Sequence, residues 1–376
     1  MKILLSGGGS GGHFYPLMAI VEELSILINE KHLIEPKYYY MGDEPYDERA
    51  LFEQDITFIK VPAGKLRLYR SIRNLLDPIR TLLGVFIATW KMFLIYPDVV
   101  IGKGGYSSFP AMVAARILGI PVVIHESDSV PGRVNKFAGK FAKRIGVAYP
   151  SAAEYFKGKD VALVGVPIRR ELVTPVHEGA YEQLKLDRNI PVILVMGGSQ
   201  GAQIINDVVL DILPSMLAKY QVIHQVGVKN VEDIKTRLSV VLADSEYKDR
   251  YKMFGWLTSS AEAMAAGIAK LVVTRAGSTT LFEIACWGLP SIVIPIPKNI
   301  SRDQHENAFN YARSGAGILL EESNLSAHIL LSEVDRILEN TELQLQMRTR
   351  ALAFAKPDAA RKMAETILDI TLPHEK

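Results

Sequence analysis

One pattern, an apolar run followed by a glycine loop and a helix, occurs twice and constrains this chain more than any other. Ile3-Leu4-Leu5-Ser6 leads into Gly7-Gly8-Gly9-Ser10-Gly11-Gly12, and Val192-Ile193-Leu194-Val195-Met196 leads into Gly197-Gly198-Ser199-Gln200-Gly201. An amphipathic helical stretch follows each loop, Pro16 to Leu27 in one case and Ala202 to Leu217 in the other. A buried strand, a tight turn and a helix open a doubly wound α/β unit. Two such openings in 376 residues predict two Rossmann-like domains rather than one large core.

Further runs fit the scheme. Tyr38 to Met41, Val99 to Ile101, Val122 to Ile124, Ile145 to Ala148 and Val161 to Val164 read as first-domain strands. Val222 to His224, Leu271 to Thr274, Ser291 to Ile294 and Gly317 to Leu320 read as second-domain strands. The expected domains are 1–165 and 166–356, with a final helix at about 357–376 returning to the first. The chain carries 43 basic and 41 acidic residues, a net charge of +2, which argues against a bulk nucleic-acid binder. Cys286 is the one cysteine, so an internal disulfide and a Cys-rich zinc site are excluded. No signal peptide is expected, since Lys2 to Ser6 reads as a first strand. The most apolar stretch, Leu82 to Tyr96, contains Lys91 and falls short of the roughly 20 residues that a spanning helix needs.

The first loop fits G-x-G-x-x-G through Gly7, Gly9 and Gly12, a pattern many dinucleotide enzymes share. Its glycines admit close approach of backbone N–H groups to a ligand, and the next helix presents its positive end. His13 stands at that opening, either as a base for an attacking sugar hydroxyl or as a histidine that merely starts a helix. Gly102-Lys103-Gly104-Gly105-Tyr106, with Ser107-Ser108, is a second candidate ligand loop or an ordinary βα turn. His125-Glu126-Ser127-Asp128 ends the next strand, where polar groups line the crevice of a doubly wound sheet.

The most specific stretch is Thr274-Arg275-Ala276-Gly277-Ser278-Thr279-Thr280-Leu281-Phe282-Glu283, followed by Gly288-Leu289-Pro290. A strand ends in a small-residue turn and a helix starts at Ser278 or Thr279. Its first N–H groups and hydroxyls would receive a diphosphate without a cation. Glu283 is placed to accept from two vicinal ribose hydroxyls, or to compensate the helix dipole. Asp303-Gln304 and Asn307 begin another helix, with polar groups suited to sugar hydroxyls.

In this order the chain resembles the MurG family, the peptidoglycan transferases that move N-acetylglucosamine from UDP-GlcNAc onto lipid I to make lipid II. The resemblance rests on Gly8 to His13 with Pro16, Gly104-Gly105-Tyr106, His125-Glu126, Gly197 to Ala202, His224-Gln225 with Gly227, Arg275 through Glu283, Gly288-Leu289-Pro290, and Gln304 with Asn307-Ala308. These span nearly the whole chain. The resemblance implies an α/β GT-B glycosyltransferase fold, two Rossmann-like doubly wound domains facing a cleft, with donor mainly on the second and acceptor on the first. By matching position the donor set is Ser10, Gly11, Gly12, Asp128, Arg169, Ser199, Leu257, Ser278, Thr279, Thr280, Glu283 and Gln304. Ser199 and the Ser278 to Thr280 turn would meet the diphosphate, Glu283 the ribose, Gln304 the sugar, and backbone around Leu257 the uracil. Gly104, Gly105 and Tyr106 would meet the acceptor, with Lys103 available to its diphosphate.

The reaction so implied is an inverting displacement by the 4-hydroxyl of the muramoyl sugar of lipid I, undecaprenyl-pyrophosphoryl-MurNAc-pentapeptide. His13 is the first candidate for its base and Glu126 the second. No cofactor and no metal is expected, since the family does without the Asp-x-Asp clamp and no such motif follows a strand here. The sequence departs from the family pattern at Asp128 and Val166, where asparagines are usual, at Asp303, where the site is often glutamine-like, and at Trp287, where residues are small.

Leu66 to Tyr96 intersperses apolar residues with Arg67, Arg70, Arg73, Arg80 and Lys91 and contains Trp90 and Phe93. It reads as a basic amphipathic segment for an anionic bilayer, or as a core helix with a solvated face. With a lipid-linked acceptor, the expected location is peripheral, on the cytoplasmic face of the bacterial plasma membrane. Rival readings are a related GT-B transferase with another lipid-linked acceptor, a UDP-GlcNAc epimerase, a non-catalytic nucleotide-sugar-binding subunit, and an NAD-dependent dehydrogenase. The last rests on the first glycine loop and on Asp43.

Overall fold

The computed structural model describes residues 1–65, 73–198 and 201–372. The chain divides into two compact units: Met1–Arg169 with Lys356–Lys376, and Arg170–Ala355. The division falls a few residues after the expected one at 165/166.

The described strands of the first unit are β1 (Lys2–Ser6), β2 (Lys37–Gly42), β3 (Ile56–Lys60), β4 (Val99–Gly102), β5 (Val122–Glu126), β6 (Arg144–Val147) and β7 (Val161–Leu163). They form one sheet in the order β3-β2-β1-β4-β5-β6-β7. The second unit contributes β8 (Val192–Met196), β9 (Gln221–Gln225), β10 (Tyr251–Phe254), β11 (Ala269–Thr274), β12 (Ser291–Val293) and β13 (Gly317–Leu319), ordered β10-β9-β8-β11-β12-β13. All pairings among these strands are parallel.

Parallel sheets need cover on both faces, so their central strands are apolar at every position rather than at alternate ones. In β1, Ile3 and Leu5 enter a core shared with Phe14, Leu17 and Leu24 of the helix Gly11–Glu30. Leu4 enters the opposite core, with Ala88, Met92 and Met112. In β8, Ile193 and Val195 face one core, while Val192, Leu194 and Met196 face the other. The two side-chain directions of a strand thereby fix two helical layers on each sheet.

The helix Ala359–Thr371 lies on the first unit, burying Met363, Ile367 and Leu368 in the core of Ile3 and Leu5. Arg361 bonds Glu30 on the neighbouring helix. Two strands, β3 and β10, were not anticipated. Both are sheet edges, and the alternation of exposed and buried residues in β3 dilutes its apolar run.

The helix Arg73–Ile95 corrects the expectation for the apolar stretch. Its segment Asp77–Ile95 is long and apolar enough to cross a membrane by length and composition. One side of it packs on the first unit: Ala88 and Met92 are fully buried, and a Cβ at Gly84 would stand 1.9 Å from the Pro62 carbonyl oxygen. Arg67 and Arg70 lie outside the described residues, as does the side chain of Arg73.

Candidate active site

In a doubly wound sheet, the crevice opens where the strand order reverses, beyond the carboxyl ends of the two strands that flank the reversal. In the first unit those strands are β1 and β4, and they carry Gly7–Gly12 and Lys103–Tyr106. In the second unit they are β8 and β11, and they carry Gly197–Gly201 and Arg275–Gly277. The repeated pattern that opens each half of the sequence thus occupies both reversal points.

The two loops of the first unit interlock. A Cβ on Gly8 would lie 1.5 Å from Ser107 Oγ, and one on Gly105 (φ +81°) would lie 2.5 Å from the Gly8 carbonyl oxygen. Ser107 Oγ and the Tyr40 hydroxyl both donate to the Gly7 carbonyl, at 3.2 and 2.7 Å. Side chains larger than hydrogen at positions 8 and 105 would force the loops apart.

Ser10 is the N-cap of Gly11–Glu30, yet its side chain makes no cap bond to the helix. Its Oγ lies 2.8 Å from His13 Nδ1 instead. The first turn contains no acidic residue, and Gly11 and Gly12 lie within it. His13 is half-buried, and burial followed by the charge of Lys103 pushes its pKa down to about 4. The ring is therefore neutral near pH 7. When Nδ1–H donates to Ser10 Oγ, Nε2 carries the lone pair that accepts a proton.

Glu126 is buried, and its oxygens are committed to its own loop. Oε1 accepts from the Asp128 N–H at 2.9 Å; Oε2 accepts from the Gly132 N–H at 3.0 Å and from Asn135 Nδ2 at 2.9 Å. Burial, then the nearby Asp128 charge, raises its pKa. Three donors, from Asp128, Gly132 and Asn135, make Glu126 the organiser of the turn that follows β5.

Lys103, expected to meet the acceptor diphosphate, turns inward. It is 2% exposed and its ammonium donates to Ser127 Oγ. Tyr106 is half-buried, with its ring edge against Gly9 and the Lys65 ammonium 5.8 Å from its centroid. Gly104 takes φ +82° against the Asn135 amide. Arg169 stacks its guanidinium 4.1 Å from the centroid of Tyr15, whose hydroxyl donates to Asp47 at 3.2 Å. Asp43, the carboxylate a dinucleotide enzyme would place on a ribose, takes two bonds from Arg80 at 2.8 and 3.0 Å. That pairing removes the further support for the dehydrogenase reading and neutralises one charge of the expected basic segment.

In the second unit the helix Ser278–Trp287 begins on Gly277, which offers no side-chain cap, and its first turn holds no acidic residue. Ser278 is buried while Thr279 and Thr280 are partly exposed, so hydroxyls and N–H groups gather where an anion is favoured. Arg275 fixes the turn by donating to the carbonyls of Ile294 and Pro295, both at 3.2 Å, and to Glu322 at 2.6 Å. Glu283 lies in the second helical turn and is 6% exposed, beyond the first turn where a carboxylate offsets the dipole best.

Gln304 stands in the first turn of Arg302–Arg313, and its Oε1 is buried without a hydrogen-bond partner among the described residues. Leu257 is buried, and its N–H is already given to Gln225 Oε1 at 3.0 Å. Ser199 lies outside the described residues. Two departures have structural roles: Trp287 Nε1 donates to the Leu172 carbonyl at 2.7 Å, and Val166 is fully buried.

Sequence reasoning missed Asn135 and undervalued Gln225 as site residues. Asn135 Nδ2 ties the His125 carbonyl to Glu126, while Gln225 Nε2 donates to the Gly198 carbonyl at 3.3 Å and its Oε1 holds Leu257. A polar amide at the last position of a buried strand, as in Gln225, is the signal that marks such a clasp.

Residues 3–147 match the glycosyltransferase family 28 N-terminal domain, and residues 192–363 match the family 28 C-terminal domain. A UDP-N-acetylglucosamine--N-acetylmuramyl-(pentapeptide) pyrophosphoryl-undecaprenol N-acetylglucosamine transferase of Clostridium botulinum is 32% identical over 93% of this chain and 94% of its own. The crystal structure of Acinetobacter baumannii MurG is 25% identical, with TM-score 0.73, covering 98% of this chain and 99% of that one. A structure described as a putative UDP-N-acetylglucosamine 2-epimerase from Listeria monocytogenes has TM-score 0.70 at 16% identity, covering 98% and 96%, and shares the fold alone. With two family 28 domains on two Rossmann-like sheets, this is a GT-B glycosyltransferase, and the chain belongs to the MurG family.

Proposed function

We propose that this protein transfers N-acetylglucosamine from UDP-GlcNAc to the 4-hydroxyl of the muramoyl sugar of lipid I, giving lipid II. The observation that carries the reading is His13, neutral and held by Ser10 at the reversal point of the first sheet. Membership of a family whose named relatives perform this transfer supplies the substrates.

The chemistry follows from the groups available. His13 Nε2 takes the proton of the acceptor hydroxyl as its oxygen attacks the anomeric carbon from the face opposite UDP. The new C–O bond forms while the bond to the diphosphate breaks, so configuration inverts. The departing charge falls on the start of Ser278–Trp287, where N–H groups and the hydroxyls of Ser278, Thr279 and Thr280 stabilise it without a metal ion or another cofactor. Glu283 holds the ribose and Gln304 the sugar.

A lipid-linked acceptor requires approach to a bilayer, and the helix Arg73–Ile95 supplies an apolar face. Leu82, Phe86, Trp90, Phe93 and Leu94 are exposed along it, with Trp90 and Phe93 stacked at 6.5 Å. Such a helix lies in the interface rather than across it, a peripheral attachment suited to the anionic cytoplasmic face of the plasma membrane.

The test supplies purified protein with labelled UDP-GlcNAc and a lipid I analogue in the presence of a chelator. Label should pass to the lipid. Absence of a labelled disaccharide-lipid would refute the acceptor, and conversion of the donor to a 2-epimer without acceptor would favour the epimerase reading.

A further inference from the structure

Two adjacent carboxylates, Glu321 and Glu322, follow β13 at the edge of the second sheet and reach two different elements of the donor half. Their backbone is held first. The Leu320 N–H donates to the Val293 carbonyl of β12 at 3.0 Å, and the Asn324 N–H donates to the Glu321 carbonyl at 2.9 Å. Glu321 is extended, with φ −61° and ψ 139°, and consecutive side chains of extended backbone point to opposite sides. One carboxylate therefore meets the turn after β11, and the other meets the helix Arg302–Arg313.

Glu322 accepts from Arg275 at 2.6 Å, and the two side chains are only 14 and 20% exposed, so the solvent screens this pair little. The same guanidinium holds the carbonyls of Ile294 and Pro295, at the entry to the loop that leads from β12 to the helix. Glu321 Oε1 accepts from His305 Nε2–H at 2.8 Å, just past the exit of that loop. Ser301, the N-cap of the helix, makes no side-chain cap bond, so the helix start lacks the usual tether and His305 supplies one. Neighbouring residues of a helix stand about 100° apart around its axis. A bond that fixes the direction of His305 thereby fixes that of Gln304, one residue earlier. Further along, Ala308 and Tyr311 are buried in a core with Ala276 and Leu281, which holds the body of the helix without help from Glu321.

We propose that Glu321 and Glu322 are positioning residues that divide the donor site between them. Glu322, through Arg275, sets the turn that meets the diphosphate; Glu321, through His305, sets the rotation of the helix whose Gln304 meets the sugar. The inference rests on the reading of UDP-GlcNAc as donor, and it extends that reading to how the sugar is told from the bare nucleotide.

The experiment titrates UDP and UDP-GlcNAc separately into the full-length protein by calorimetry, without acceptor. UDP lacks the sugar and so reports on the diphosphate turn. Glu321→Ala should weaken UDP-GlcNAc about tenfold and leave UDP within about twofold of wild type, a split that general loosening of the fold would not produce. Glu321→Gln keeps an acceptor for His305 and should restore the UDP-GlcNAc affinity. Glu322→Ala should weaken both ligands by about the same factor. Glu321→Ala with His305→Ala should bind UDP-GlcNAc no more weakly than Glu321→Ala alone, because the two residues act as one contact.

Equal losses for UDP and UDP-GlcNAc in Glu321→Ala, or no loss for either, would overturn the proposal. So would a further loss in the double variant, since His305 would then bond the sugar itself. If Glu321→Ala does not fold, Glu321→Asp shortens the reach to His305 and should show the same split, with the same results counting against it. The expected ratios in a protein that passes no label to lipid I would remove the proposed acceptor and leave the positioning role standing. A wild-type protein that took up no UDP-GlcNAc would overturn both.

Discussion

At the scale of single residues, the account divides labour between His13 and Glu283. His13 acts on the acceptor proton, so His13→Ala should lower kcat by about a hundredfold or more while donor KM stays near wild type. Glu283 acts on the bound nucleotide, so Glu283→Ala should weaken UDP-GlcNAc binding in a calorimetric titration. An unchanged isotherm would remove the ribose role, and wild-type turnover in His13→Ala would remove the base. The places of these two residues, beside a glycine loop and a small-residue turn, were legible in the sequence; their roles are what the two variants test. The inward direction of Lys103 and the triple commitment of Glu126 were not legible. Residue type and spacing place a side chain at a strand end, but its orientation is set by contacts with Ser127, Gly132 and Asn135, distant in pattern though close in space.

At the scale of elements, glycine loops after β1 and β8 were read correctly as sheet openings, since a buried strand and a tight turn leave a strong local signal. The strands β3 and β10 left a weak one, because β3 alternates buried and exposed residues and β10 buries only Tyr251, so neither shows an unbroken apolar run. The helix Arg73–Ile95 shows a subtler failure. Its apolar residues are spread around the whole helix, so composition could not distinguish the face packed through Gly84, Ala88 and Met92 from the face left to solvent. That exposed face makes a direct prediction: Phe86→Glu with Trp90→Glu should reduce sedimentation with anionic vesicles severalfold, without loss of donor binding. Equal sedimentation would remove this helix as the docking element.

At the scale of the whole molecule, two units of similar architecture carry different loads of buried titratable groups. In the second unit His224 is fully buried between Tyr251, 2.9 Å from Nδ1, and Asn206, 3.1 Å from Nε2, and burial lowers its pKa to about 3. Below the ordinary histidine value of about 6.5, the unfolded chain takes up a proton that the folded unit refuses. The stabilisation from a neutral His224 is therefore complete above that pH and is lost as pH falls toward about 3. Between pH 7 and pH 5 this costs about 2 kcal/mol, and His224→Gln should flatten that part of the stability curve for the second unit, measured by urea unfolding. An unaltered pH dependence would contradict the assignment.

The central claim is direct displacement at the anomeric carbon of a UDP-sugar by a hydroxyl that His13 deprotonates. Its most direct test is the anomeric configuration of the disaccharide formed from UDP-GlcNAc and a lipid I analogue, read from the proton coupling at the new linkage. The donor carries an α bond, so the account predicts a β(1→4) product; an α linkage would contradict it.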